Sequence, residues 1–402
     1  MEVNCVTQSR TPLLDDLEKG QWPSFVSEMK RSAEKKENAK QLLEQLEKSY
    51  NDKLGYWKHG GIVGVKGYGG GVIGRYSALP EEFPEVAEFH TIRVNQPAGF
   101  FYTTKSLRNL CEIWDKYGSG LTNMHGSTGD IILLGTTTKN LQPCFDELSE
   151  NGWDLGGSGG GLRTPSGCVG KARCEFACVD SMDFIQEVTR NFQDALHRPA
   201  WPYKFKIKCS ACPNDCAAAT ARSDFAVIGT WRDTLKIDQN AVRDYVNSGF
   251  KINQLVVSKC PTKALEWDTD SKELKFCAED CVRCMNCINM MPKAVSVGKD
   301  QGVSILIGGK APVVKSAFIG WVLVPFMKCE APYTEMYELI ERITEYFDEH
   351  AKARERIGEL IYRVGMGNFL RGVGLPPAPQ MVLAPRANPY IFWQDEEVVK
   401  HG

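Results

Sequence analysis

Six cysteines lie within the 49 residues from Cys168 to Cys216. The run reads Cys168-Val-Gly-Lys-Ala-Arg-Cys174 and, after a longer segment, Cys209-Ser-Ala-Cys212-Pro-Asn-Asp-Cys216. Cys168 and Cys174 enclose five residues, and Cys212 and Cys216 enclose three. A metal cluster needs several thiolates converging on one point, and two short turns brought together in space supply them. A tetrahedral zinc site more usually shows two tight C-x-x-C pairs, whereas only Cys209 and Cys212 have that spacing here. Burial as small hydrophobes is the bland alternative for any free cysteine. Cysteine arithmetic over so short a stretch argues against it.

Fifteen cysteines, an odd number in clustered spacings, do not make a secreted disulfide scaffold in a chain of 402 residues. They point to metal in a reducing compartment. A formal net charge of -2 gives no global electrostatic case for nucleic acid or a membrane surface. The N-terminus lacks a basic region followed by an apolar core, so no signal peptide is expected. The longest apolar run, Ala317 to Met327, has 11 residues and contains Gly320 and Pro325, too short for a membrane span. The expected location is cytoplasmic.

Along the chain, residues 24–50 read as one long charged helix with a sparse apolar stripe of Met29, Ala33, Leu42, Leu43 and Leu46. Gly69, Gly71 and Gly74 satisfy G-x-G-x-x-G, but Pro80 and Pro84 stand where the helix of a dinucleotide site should begin. A strand is predicted at 90–94, a helix at 104–117, a strand at 131–135 and a helix at about 139–150. The glycine-rich stretch 156–167 runs straight into Cys168, and such turns let backbone approach a large flat ligand. A helix over 181–196 capped by Ser181 follows. In Trp201 to Cys209, Lys204, Lys206 and Lys208 alternate with Phe205 and Ile207, so a strand would set three ammonium groups on one face. Either they blunt a sheet edge or they await an anion. Strands are predicted over 303–309 and 316–326. The longest helix is predicted over 334–364, its apolar face formed by Met336, Leu339, Ile340, Ile343, Phe347 and Ala351.

The segment from 232 to 300 changes character. Cys260-Pro261 is followed by Cys281-Val-Arg-Cys284-Met-Asn-Cys287, with Met291-Pro292 where the bacterial ferredoxin run would place its fourth cysteine. In two-cluster ferredoxins that cysteine serves the other cluster. Its loss fits the survival of a single upstream Cys-Pro, leaving one [4Fe-4S] cluster on Cys260, Cys281, Cys284 and Cys287. Zinc is the alternative occupant.

The C-x5-C and C-x3-C pairs resemble those of the siroheme sulfite and nitrite reductases. Together with the inserted ferredoxin segment, the N-terminal Thr11-Pro-Leu-Leu stretch and the central Tyr117-Gly-Ser-Gly stretch, they make the chain similar to alpha chains of the dissimilatory sulfite reductases over nearly its whole length. The resemblance implies an α+β fold with siroheme sulfite reductase-like α/β domains and an inserted ferredoxin-like [4Fe-4S] domain. The implied boundaries are a helical arm (1–55), a first ferredoxin-like half domain (56–165), a siroheme and [4Fe-4S] domain (166–231 with 303–370), the inserted ferredoxin domain (232–302) and a C-terminal arm (371–402).

The resemblance also implies a second [4Fe-4S] cluster on Cys168, Cys174, Cys212 and Cys216, with Cys216 bridging to the iron of a siroheme, which this chain would carry with or without its metal. Arg93, Arg163, Lys204 and Lys206 would bind sulfite and deliver protons, and Arg75, Lys208 and Arg222 would hold siroheme carboxylates. The family's pseudo-symmetry implies that these cations complete a centre whose cysteines come from the opposite half. The implied activity is six-electron reduction of sulfite towards sulfide or carrier-bound sulfur. The implied partners are a beta chain, in an alpha2beta2 assembly, and a small sulfur-carrier protein with C-terminal cysteines. Siroheme nitrite reductase and a non-catalytic electron-transfer or scaffold subunit are the alternatives. Trp114 is either a core side chain or a lid over a non-catalytic haem.

Overall fold

The computed structural model describes residues 9–21, 24–95, 101–126, 128–199, 201–313 and 316–378, without the side chains of 312, 313 and 316. The expected C-terminal arm lies outside the described residues beyond 378. The described chain divides into two compact units, one of residues 9–95, 101–164 and 194–199, the other of 165–193 and 201–378.

The first unit opens with α1 (Pro12–Glu18), α2 (Phe25–Ala33) and α3 (Glu37–Asp52). The single helix expected over 24–50 is broken at Lys36, whose backbone is extended (φ -128°, ψ 115°). The break lets the three helices share their narrow apolar stripes, burying Leu14, Val26 and Leu43 together. A stripe too thin to hold one helix against a core suffices when three contribute to it.

An antiparallel sheet follows, built from β1 (Trp57–Ile62), β2 (Val72–Ser77) and β3 (His90–Asn95). After α4 (Thr104–Tyr117) come β4 (Leu121–His125), β5 (Asp130–Thr136), α5 (Thr138–Glu150) and the short β6 (Asp154–Leu155). The strand order is β1-β2-β3-β5-β4, with β6 on β3. β1 and β2 form an antiparallel pair, and only a 3-10 turn at Pro84–Val86 follows β2, so the dinucleotide pattern is accidental. The Thr103 hydroxyl caps α4 by accepting from the Ser106 N–H, and Leu110, Ile113 and Trp114 enter the core with Ile92, Val94, Ile131 and Leu133. Each such apolar side chain contributes about 1.5–3 kcal/mol by leaving water. Trp114 is 2% exposed, and its indole N–H donates to Leu121 O at 2.8 Å, which makes it a core residue.

The second unit contains β7 (Ser166–Gly167) and α6 (Ser181–Asn191); the α7 that follows (Gln193–His197) belongs, from Asp194 on, to the first. The helix expected over 181–196 thus breaks at Phe192, and its cap is Asp180, not Ser181. The Asp180 carboxylate accepts from the N–H groups of Met182 and Asp183 at 3.2 Å each. Then come β8 (Ile207–Ser210), α8 (Ala219–Arg222) and β9 (Phe225–Trp231). The segment between residues 232 and 300 holds β10 (Lys236–Ile237), α9 (Gln239–Asn247), α10 (Ile252–Leu255), β11 (Leu265–Asp268), β12 (Glu273–Phe276), α11 (Asn286–Met290) and β13 (Val295–Ser296).

The chain returns through β14 (Gln301–Ile307), β15 (Lys310–Val313), β16 (Ser316–Phe318) and β17 (Trp321–Met327). It ends in α12 (Thr334–His350), α13 (Ile357–Val364) and α14 (Met366–Gly372). The central sheet has the order β17-β14-β9-β8-β7, with β7, β8 and β9 parallel to one another. Two expected elements are divided. The strand over 316–326 splits into β16 and β17 where Gly320 turns its N–H to Thr220 O. The helix over 334–364 stops at His350, where the Ala351 backbone turns extended, and restarts after Arg356, which is also extended and turns its guanidinium inward to Asp224. Met336, Leu339, Ile340, Ile343 and Phe347 are buried as expected, whereas Ala351 ends the helix.

Candidate metal and anion site

The parallel pairing of β7 and β8 puts Gly167 opposite Cys209, so the turns leaving both strands start side by side. Ligands gather beyond the carboxyl ends of parallel strands for this reason. Cys168 N–H donates to Cys209 O at 3.1 Å, and Ala211 N–H points at Cys168 Sγ at 3.2 Å. Cys174 follows a single 3-10 turn, its N–H on Gly170 O at 2.9 Å.

On the other side the Cys212–Cys216 turn is held by Asp215, which sits in the left-handed region at φ 48°. Its carboxylate accepts from the Ser210 hydroxyl (2.7 Å), Ala219 N–H (2.8 Å) and Thr220 N–H (3.1 Å). Burial pushes the Cys212 thiol up to about 11, with Cys174, Cys216 and Cys168 adding to the rise and the Asn214 N–H opposing it. Cys216 is raised by burial and then by Cys168, Cys174 and Asp215. Cys212 and Cys216 therefore lie within electrostatic reach of each other and of both Cys168 and Cys174. Two further thiols share the neighbourhood. Burial pushes Cys178 up to about 12, with Cys212 and Cys174 near it, and the fully buried Cys209 is raised by burial and then by Cys329 and Cys168.

The second set of thiols lines a small pocket together with Pro261 and Ile288. Burial pushes Cys287 up to about 12, with Cys281, Cys284 and Cys260 contributing and the Ile288 N–H opposing. Cys281 is raised by burial, against the pull of the Arg283 N–H and guanidinium. Ala264 N–H points at Cys260 Sγ at 3.2 Å and Arg283 N–H at Cys281 Sγ at 3.4 Å. Hydrogen bonds to sulfur of this kind tune iron–sulfur clusters. Met291 is 0% exposed and packs as a core residue at the missing fourth position, while Cys277 is exposed.

Among the described residues no three His, Cys, Asp or Glu side chains are arranged to hold a single metal ion. A cubane binds each thiolate to a different iron, and the chemistry of both sets suits one: four thiols in each, with backbone N–H groups aimed at sulfur in Cys168, Cys260 and Cys281.

The cations divide between the units. In the first, Arg93 Nη1 donates to Asp130 Oδ2 at 2.7 Å and to the Thr128 hydroxyl at 3.0 Å, and its buried Nε has no partner among the described residues. Arg75 on β2 is lowered by burial and by the charge of Arg93, so two guanidinium groups stand near each other. Arg163 is 7% exposed and donates to the carbonyls of Gly159 (3.0 Å) and Gly161 (3.3 Å) in its own loop. That loop needs its glycines: a Cβ on Gly157 would fall 1.8 Å from Leu162 O, and one on Gly156 2.2 Å from Asp130 Oδ1.

In the second unit, Lys204, Lys206 and Lys208 do not form the exposed row that an edge strand would give. The strand begins only at Ile207 and lies between β7 and β9. Lys208 is 3% exposed and donates to the Ser166 hydroxyl at 2.7 Å. Burial pushes it down to about 8, Arg222 adding to the drop and Asp215 opposing it. Lys204 Nζ stands 4.9 Å from the Tyr203 ring centre, and Arg222 is exposed at the end of α8. The backbone of Lys206 is clamped on both sides, its N–H on Asp224 Oδ2 (2.8 Å) and its carbonyl accepting from Phe225 N–H (3.0 Å). Asp224 in turn takes two hydrogen bonds from Arg356 at 2.8 and 2.7 Å. Asp130, Asp215, Asp224, Arg356 and Ser166 were not marked by the sequence. Asp215 alone carried a local signal, its place inside the cysteine turn.

No helix among the described residues is long and apolar enough to cross a membrane. Residues 84–151 match the nitrite/sulfite reductase ferredoxin-like half domain, and residues 158–378 match the nitrite and sulphite reductase 4Fe-4S domain. The alpha subunit of dissimilatory-type sulfite reductase from Nitratidesulfovibrio vulgaris is 51% identical, over 96% of this chain and 95% of its own. That from Allochromatium vinosum is 48% identical, over 96% and 94%. The crystal structure of dissimilatory sulfite reductase I superposes with a TM-score of 0.88 at 50% identity, covering 96% of this chain and 95% of the other. With a family model over more than half its length and relatives about half identical from end to end, the chain belongs to the nitrite and sulphite reductase family, among the alpha subunits of dissimilatory-type sulfite reductases, which are oxidoreductases.

Proposed function

We propose that the chain works with a beta subunit in reducing sulfite by six electrons towards sulfide or carrier-bound sulfur. The observation that carries this reading is the pair of four-thiol sets, each served by backbone N–H groups pointing at sulfur. Cys168, Cys174, Cys212 and Cys216 hold one [4Fe-4S] cluster, with Cys216, the most exposed of the four, facing a siroheme. Cys260, Cys281, Cys284 and Cys287 hold the other. When bound, the siroheme and its cluster supply electrons one at a time to the substrate sulfur.

The protein's own part is charge and protons. Sulfite is an oxyanion that loses three oxygens as water, so cations must grip it and a proton donor must follow each departure. Arg93 and Arg163 offer planar guanidinium donors, and Lys204 and Lys206 offer ammonium protons. Arg75, Lys208 and Arg222 are assigned to the carboxylates of the tetrapyrrole. Lys208 can lose its proton near neutral pH more readily than an exposed lysine. The alpha2beta2 assembly and a small carrier protein with C-terminal cysteines belong to the same reading.

Replacing Lys204 and Lys206 together by alanine is the test. Sulfite turnover of the assembled enzyme should disappear while the iron and acid-labile sulfide of this chain stay at wild-type levels. Full turnover in that variant would refute the assignment, and loss of the Cys168 cluster would show that the lysines serve the cluster instead of the substrate.

A further inference from the structure

Two turns that carry proposed cluster ligands meet through a pair of side-chain amides. Asn214 lies inside the Cys212–Cys216 turn, and Asn289 stands two residues past Cys287 on α11. Asn289 Nδ2 donates to Asn214 Oδ1 at 2.7 Å, and Asn214 Nδ2 donates to Asn289 Oδ1 at 3.1 Å. Each amide is both donor and acceptor to the other. Both residues are exposed, so neither fills the core. A hydrogen bond of this type contributes only about 0.5–1.5 kcal/mol net, and the fold does not depend on it.

What the pair fixes is a position. The segment of residues 232–300 leaves and re-enters the central sheet through β9 and β14, adjacent strands paired from Phe225↔Ile307 to Trp231↔Gln301. Arg232 closes this stem, its Nε on Asp300 Oδ2 at 2.7 Å and its N–H on Asp300 O at 2.8 Å. A lobe on a two-strand stem can pivot about it. The amide pair is a second point of attachment, and it joins the two ligand-bearing turns directly.

We infer that Asn214 and Asn289 are positioning residues for electron passage between the two thiolate sets, locking the ferredoxin-like segment at one distance from the Cys168–Cys216 turns. The inference rests on the ligand reading given above. In the step concerned, the cluster on Cys260, Cys281, Cys284 and Cys287 is oxidised by one electron and the cluster on Cys168, Cys174, Cys212 and Cys216 is reduced by one. No bond forms or breaks and no proton is required. The electron comes first from a low-potential one-electron donor.

The test uses the assembled holoenzyme with Asn214→Ala, Asn289→Ala, both together, and Asn214→Asp, which keeps the 2.7 Å bond from Asn289 Nδ2. Three quantities are read: iron and acid-labile sulfide, the magnetic interaction between the reduced clusters by electron paramagnetic resonance, and the rate at which an electron reaches the tetrapyrrole-coupled cluster after rapid mixing with the donor. The alanine variants should keep full iron and sulfide, show a weakened interaction, and transfer about tenfold more slowly, within the range that small misplacements of positioned groups impose. The double variant should be no slower than either single one, and Asn214→Asp should recover most of the rate. Unchanged interaction and rate in both alanine variants would overturn the positioning role and leave the ligand reading standing. Alanine variants that lose iron would overturn it too, since the pair would then be holding a cluster in place instead of setting a distance. A wild-type enzyme with one cluster on this chain would overturn both readings.

Discussion

Arg356→Ala isolates the buried pair beneath Lys206. Arg356 and Asp224 side chains are 5% and 1% exposed, and two hydrogen bonds at 2.8 and 2.7 Å join them. Hydrogen bonds to charged groups contribute about 1.5–3 kcal/mol each, so removing the guanidinium forfeits about 3–6 kcal/mol. Breaking a buried pair by deleting one partner costs about 3–5 kcal/mol on independent grounds, because a charge is left without compensation in a dry interior. The two routes agree. Removing both partners is different: Asp224→Leu with Arg356→Met trades the pair for apolar packing, leaves only the Lys206 N–H without its acceptor, and should cost about 1–3 kcal/mol, less than the single variant. Urea unfolding of the three proteins, compared by midpoint at constant slope, gives the numbers. Arg356→Lys should fall between wild type and Arg356→Ala, since an ammonium keeps the charge but not the fork. A cost below about 1 kcal/mol for Arg356→Ala, or a double variant as unstable as the single one, would refute the reasoning, which takes its range from buried pairs.

Lys208 is pushed down to about 8 chiefly by burial, whereas in the unfolded chain it keeps its proton to about 10.4. Between those values the unfolded state binds the extra proton, so stability should rise with pH there. Lys208→Met should raise the urea midpoint near neutral pH and flatten that rise, and an unaltered pH profile would contradict the burial argument. Trp114→Ala should destabilise the first unit by about 3–5 kcal/mol, the usual cost for a buried aromatic. Its tetrapyrrole absorption should match wild type, and a changed band would restore the haem-lid reading. Asp215→Ala removes three hydrogen bonds from the Cys212–Cys216 turn and should lower cluster occupancy while sparing the other cluster; equal loss of both would count against its local role.

Much of the architecture was legible because it follows from local pattern. The boundaries of α4 came from apolar residues at helical spacing, and the structure returns them residue for residue. The long helices were over-read for a shared reason: apolar periodicity continues across Lys36, Phe192 and the residues around Arg356, while the breaks are set by partners distant in sequence or by a single extended residue. Arg356 and Asp224 are 132 residues apart, and no window on the sequence joins them. Lys208 misled in the same way, since alternation placed it on a strand but could not say that Ser166 and β7 would cover it. Cysteine spacing was the most informative signal. Thiols must converge to be useful, and in the two sets read from spacing and resemblance Cys212 and Cys216 feel Cys168 and Cys174, and Cys287 feels Cys281, Cys284 and Cys260, while Cys178 and Cys209 stand in the first neighbourhood without having been read as ligands.

Counting iron and acid-labile sulfide on the purified enzyme, in wild type and in Cys287→Ala and Cys174→Ala variants, bears most directly on those two sets. Wild type should carry about eight cluster irons on this chain, as two cubanes require, and each variant should lose about four, leaving the other set loaded. A wild-type count of about four, or the same irons lost from both variants, would contradict the account.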